Sequence, residues 1–158
     1  MALVFLFILA IATAIFRKAY RGESFATAFL FGIIVCVIGF SGLWAFIGHF
    51  FIPDKVAIGI GWPVGSPFQK EVAFANLGIG LLGVLCIWFR GNFWTATVIM
   101  NSTFLLGAAY IHVNEIMVKG NFNPLNAGPV LYFDILIPAL TIILIIIKHY
   151  REPELSGR

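Results

Sequence analysis

The sequence predicts an all-α fold, a polytopic membrane bundle of about five transmembrane helices. Of its 158 residues 61% are hydrophobic and 11% charged, with a mean hydropathy of +1.00, whereas soluble chains carry roughly a quarter charged residues. The apolar residues gather into long runs divided by short polar stretches. Those runs lack strand-type alternation, and a backbone in hydrocarbon must satisfy its polar groups within the segment, which leaves helices as the spanning element.

The first run gives a helix over 2–16. It is short, and Ala12-Thr13-Ala14 has a faint likeness to a signal-peptidase site, but Arg17, Lys18 and Arg21 follow the apolar stretch where a secretory signal places charge before it. The second helix, 24–51, is long enough to span with tilt and stops at Ile52-Pro53-Asp54. Lys55 to Gly65 reads as a hydrophilic connection. A third helix, 67–89, opens on Ser66-Pro67-Phe68-Gln69, with Ser66 as cap, Pro67 at the first helical position and Gln69 closing a capping box. Arg90-Gly91-Asn92 makes a tight turn into a fourth helix, 93–118. Gly120 to Pro129 forms a second outer loop, and a fifth helix, 130–148, ends on Lys148 before a short polar tail. No repeat or linker divides the chain, so 1–158 reads as one transmembrane domain.

Charge sets the expected orientation. With the amino terminus outside and the carboxyl terminus inside, seven cations (Arg17, Lys18, Arg21, Arg90, Lys148, Arg151, Arg158) lie inside against three (Lys55, Lys70, Lys119) outside. Trp88, Trp94, Tyr20 and Tyr150 then fall at the inner boundary and Trp62 and Tyr132 at the outer one, as aromatic belts do. The expected setting is a multi-pass protein of the cell membrane, with the bilayer as its first partner. No basic stripe interleaved with aromatics suggests nucleic acid. Cys36 and Cys86 lie inside apolar runs at different depths and form no CxxC or zinc spacing, so neither a disulfide nor a thiol redox centre is expected.

Charges near a bilayer are costly, so their placement carries information. Asp54, Glu71, Glu115 and Asp134 all fall at the outer ends of helices two to five, joined by His49 and His112. At 100° per residue, Thr97, Asn101, Ala108, His112 and Glu115 lie within about 60° of one another, a single polar stripe on the fourth helix. Gly42 and Ala45 share a face with His49 and allow a neighbouring helix to come close. Pro138 lacks an amide hydrogen and so frees the carbonyl of Asp134, giving a cation or proton site beside that carboxylate. Asn76, Gly80 and Gly83 form a packing face on the third helix, from which Glu71 projects about 140° away.

Imidazoles and carboxylates together suit a divalent ion such as zinc, iron or manganese. The candidate ligands are His49, Glu71, His112, Glu115 and Asp134, in an outer-facing pocket covered by Trp62 and the SPFQ loop. Each also has a plainer reading. His112 and Glu115 form an interfacial i,i+3 pair, His49 is a water-exposed end residue, Asp134 and Glu71 are first-turn acids favoured by the helix dipole, and Asp54 is a turn acid. Asn101 serves an interhelical hydrogen bond, its sequon being inert inside lipid. The alternatives to ligand binding are a non-catalytic subunit of a larger membrane complex or a homo-oligomer, and third a small transporter. No GxSxG, HExxH or P-loop is present, so no enzymatic activity is assigned.

Several blocks carry a resemblance: Ile60-Gly61-Trp62-Pro63, Gly65-Ser66-Pro67-Phe68-Gln69, Glu71-Val72 and Ala75-Asn76, then His112, Asn121-Phe122-Asn123-Pro124, Asn126-Ala127-Gly128, Leu131-Tyr132, Asp134-Ile135-Leu136 and Pro138. Across roughly residues 40 to 140 the chain resembles a family of small prokaryotic integral membrane proteins of uncharacterised function. The resemblance implies a topology and no activity, and its blocks fall on the outer side. A looser similarity to small four-helix membrane proteins of the DoxX type implies a redox or quinone-related setting, although no stretch matches a quinone motif.

Overall fold

The computed structural model describes residues 2–151, all-helical with turns and no strand among them. Five helical segments are long and apolar enough to cross a membrane: Leu3–Arg21, Phe25–Phe51, Phe68–Leu85, Asn92–Lys119 and Pro129–Arg151. The chain is a multi-pass membrane protein. Arg158 and the rest of the polar tail lie outside the described residues.

Helix α1 (Ala2–Arg21) continues five residues past its expected end at Phe16, because Arg17 turns inward. Its guanidinium sits 3.8 Å over the Phe31 ring and forks onto Glu23, with Nε 2.8 Å from Oε2. A planar, delocalised cation tolerates such a site when a carboxylate and an aromatic face share it. Glu23 also lies 3.5 Å from Arg90 Nη1, tying the first connection to the third.

The second span has three parts. In α2 (Phe25–Gly32) the Ser24 hydroxyl caps the start by accepting from the Thr27 amide. A π-helical stretch, Ile33–Gly39, follows, every residue of it buried, and then α3 (Phe40–Phe51). This span forms the centre of the bundle: its most apolar window is 61% buried, against 17–33% in the other four. Helix α1 packs on α2 and the π stretch, α5 (Phe68–Leu85) on the π stretch and α3, and α7 (Pro129–Arg151) on α2 and α6 (Asn92–Lys119). The seam of α5 with α3 and the end of the π stretch is backbone on backbone. A Cβ at Gly42 would meet the Gly80 Cα at 2.8 Å, and one at Gly83 the Gly39 Cα at 2.6 Å. Small residues allow that approach, and in lipid such close packing holds helices together.

The stretch expected as a hydrophilic connection instead contains a helix, α4 (Pro53–Ile60). Pro53 presets its first turn, Ala57 and Ile60 bury an apolar edge, and Gly61 ends it in a left-handed conformation with φ +88°. The helix expected over 67–89 is shorter at both ends. Ser66 accepts from the Phe68 amide as a cap should, but Gln69 leaves the capping box and turns into the bundle. At the other end the Trp94 indole donates to the carbonyls of Cys86 and Phe89, at 3.1 and 2.9 Å, and fixes the turn after Leu85. Trp94 is therefore core, 1% exposed and packed on Phe31, and not a belt residue. Trp88, Tyr20, Tyr150 and Tyr132 are exposed at the ends of the bundle. Both cysteines are free and buried.

Candidate functional site

The polar stripe of α6 turns inward: Thr97, Asn101, His112 and Glu115 are all buried. So are Asp134, Ile137, Pro138 and Thr141 on α7. The two helices run antiparallel and bring His112 opposite Asp134, with Nε2 3.7 Å from Oδ2 and the side chains 8% and 9% exposed. Asp134 Oδ2 has no hydrogen-bond partner among the described residues. Pro138 removes the amide that would have bonded the Asp134 carbonyl. One turn further on the Thr141 hydroxyl donates to the carbonyl of Ile137 at 2.8 Å and so does not replace the lost bond to the Asp134 carbonyl.

The other imidazole nitrogen is fixed by a loop residue. Asn126, fully buried, donates through Nδ2 to the carbonyls of Asn121 and His112, at 2.8 and 3.3 Å. Its Oδ1 is thereby the acceptor for His112 Nδ1, 2.7 Å away. With Nδ1 carrying a proton, Nε2 is the nitrogen that faces Asp134. An imidazole protonated only at Nδ1 beside an ionised carboxylate would leave a buried charge uncompensated, which costs several kcal/mol in a low-dielectric interior. One further proton on Nε2 or Oδ2, or a monovalent cation between them, makes the pair neutral overall.

Around this pair lies a cover built from the end of α4 and the 120–128 loop. Asn121 donates to the Ile60 carbonyl at 2.9 Å and accepts from the Asn123 amide and side chain. The Leu125 amide donates to the Gly59 carbonyl, so α4 and the 120–128 loop close as one piece. Glu115 sits beneath, held by Lys119 at 2.6 Å and approached by Asn121 and the Trp62 side chain.

The five expected ligands are thus distributed over separate contacts. His112 and Asp134 meet, and Glu115 lies on the same buried face of α6 but is paired with Lys119. His49 belongs to a different helix pair, its Nδ1 2.6 Å from Oε1 of the buried Gln69. Glu71 is exposed, without an ion pair or side-chain hydrogen bond among the described residues, and Asp54 caps the Gly65 amide at 3.0 Å. Among the described residues no group of three His, Cys, Asp or Glu side chains is placed to hold a metal ion. Asn126 and Asn121 carry the site's hydrogen bonds without having been expected there. Their signal was the density of amides in Asn121-Phe122-Asn123-Pro124-Leu125-Asn126, more than a turn alone needs.

A family model matches residues 1–154. The chain belongs to the family of unknown function DUF6790. No curated protein and no solved structure matches it. Membership in DUF6790 covers every residue of the site and brings no activity with it.

Proposed function

We propose that this membrane protein takes up a small cation, in the simplest case a proton, between His112 and Asp134, at an end of the bundle that faces outward from the cell membrane. The observation that carries the reading is the buried approach of Nε2 to an unbonded carboxylate oxygen at 3.7 Å, with the opposite ring nitrogen locked by Asn126. That separation is too long for a direct hydrogen bond, so a proton taken up here resides on Nε2 or on Oδ2 with the other atom as its near neighbour, whereas a larger cation would touch both. The outward orientation rests on the cation distribution: Lys55, Lys70 and Lys119 share the polar end, while Arg17, Lys18, Arg21, Arg90, Lys148 and Arg151 share the other. A divalent ion would find the same two atoms as its protein ligands, near the freed carbonyl of Asp134. His49, Glu71 and Glu115 have other partners or face away, so the pair supports a proton better than the set of five supports a metal.

The test is a pH titration of the purified protein in detergent, following imidazole nitrogens by NMR and carboxyl stretching bands by infrared difference spectroscopy. One imidazole and one carboxyl should titrate together, and both signals should be lost or displaced in His112→Ala and in Asp134→Asn. A His112 titration unchanged by Asp134→Asn would overturn the proton reading. Elemental analysis in chelator-free buffer separates the two cations: stoichiometric metal that disappears in His112→Ala would make the occupant a metal ion.

A further inference from the structure

At the opposite end of the bundle a small pocket of about 70 Å³ opens between the start of α6 and the last turns of α7. It is lined by Gly91, Asn92, Thr95, Ile145, Lys148 and His149. The lining offers an amide, a hydroxyl, an ammonium and an imidazole, and no carboxylate. The volume admits a few waters or one phosphoryl group.

Two features of the surroundings decide what such a pocket would take. The first is charge. Lys18, Arg21, Arg90, Lys148 and Arg151 gather at this end, and the one acid among the described residues there, Glu23, is already committed to Arg17 and Arg90. Lys148 has no ion-pair partner among the described residues. The second is depth. The apolar run of α7 ends at Ile147, immediately before Lys148, and the exposed Trp88 and Tyr150 mark the level at which amphipathic rings meet lipid headgroups. An anion at that depth is supplied by the bilayer itself. On the neighbouring α1–α2 edge an apolar groove lined by Ile15, Ala19 and Phe25 likewise carries a single lysine, Lys18.

The geometry points to a discrete binding site for the phosphate of an anionic phospholipid, formed by Lys148, His149, Asn92 and Thr95. Lys148 supplies the charge, while the Asn92 amide and Thr95 hydroxyl donate to phosphate oxygens. Basic side chains near a charged leaflet act on anionic headgroups over short range, and the enclosing polar donors turn that general attraction into a localised site. This inference stands apart from the His112–Asp134 reading, since the two sites occupy opposite ends of the bundle.

Native mass spectrometry of the full chain tests it, with phosphatidylglycerol or phosphatidylcholine of identical acyl chains titrated into the detergent. The wild type should retain phosphatidylglycerol in preference to phosphatidylcholine. Lys148→Gln should weaken phosphatidylglycerol retention about fivefold, and Lys148→Gln with His149→Ala further. Lys70→Gln, at the other end, should leave it unchanged. Equal retention of the two lipids, or equal retention of phosphatidylglycerol by wild type and the double variant, would overturn the site, as would an equal loss in Lys70→Gln. Displacement of the lipid by millimolar inorganic phosphate would show a pocket filled from solution and would overturn the lipid assignment. All three variants replace side chains at the bundle surface, and matching thermal unfolding curves exclude misfolding as the cause.

Discussion

Asn126 is the residue on which the candidate site turns. Its side chain makes three hydrogen bonds with no exposure to solvent, one of which sets the tautomer of His112. Truncation leaves the His112 ring nitrogen and the Asn121 carbonyl buried without these partners, while the His112 carbonyl keeps its helical amide, and each such group costs about 1–3 kcal/mol. Asn126→Ala should therefore lower stability by about 3 kcal/mol, read as an earlier denaturation midpoint in detergent. It should also disturb the His112 imidazole signal. His112 and Asp134 were legible in the sequence because an ionisable group in an apolar run is conspicuous. Asn126 and Gln69 were not, because a neutral amide in a loop or first turn has several local uses. Gln69 had a good one in the capping box, and only the position of His49 on another helix decides that it bonds there. Arg17 illustrates the same limit: counted as an interfacial cation, it is buried because Glu23 and Phe31 happen to meet it.

At the scale of elements, the α3–α5 seam offers a sharp comparison between two glycines of one helix. A Cβ at Gly80 would sit 2.7 Å from the Leu43 amide nitrogen, whereas at Gly78 nothing lies within 4 Å. Gly80→Ala should destabilise by about 2–3 kcal/mol through overpacking. Gly78→Ala should be neutral or gain up to about 1 kcal/mol from helix propensity, and paired denaturation curves would show the difference. That seam was foreshadowed by the spacing of Gly80 and Gly83, since small residues at i and i+3 mark a face for close approach. The α4 helix was hidden by composition: Asp54 and Lys55 read as loop, and its buried edge is only Ala57 and Ile60. The early end of α5 was equally hidden, because the group that fixes it, the Trp94 indole, belongs to the next helix.

For the molecule as a whole, five spans followed from hydropathy because lipid imposes length and composition on every crossing segment. Orientation is the remaining global variable, and it has a direct assay. Cysteines introduced at Lys55 and Tyr150, both exposed, sit at opposite ends of the bundle. On intact cells an impermeant maleimide should label Lys55→Cys, and should reach Tyr150→Cys only after lysis; the native thiols, being buried, should stay silent. The reverse pattern would turn the protein over and place the His112–Asp134 pair toward the cytoplasm.

The π-helical stretch Ile33–Gly39 gives the central span a property that no straight helix has. Each wide turn holds one residue more than an α turn, so angular bookkeeping begun at Ser24 falls out of phase before it reaches His49. The span behaves as two helices spliced with an offset, each half keyed to different neighbours. Its Ser24 half meets α1 and α7, and its His49 half meets α5. A single inserted residue, absorbed in the middle of the bundle, thus lets one crossing serve two faces that a regular helix could not present together.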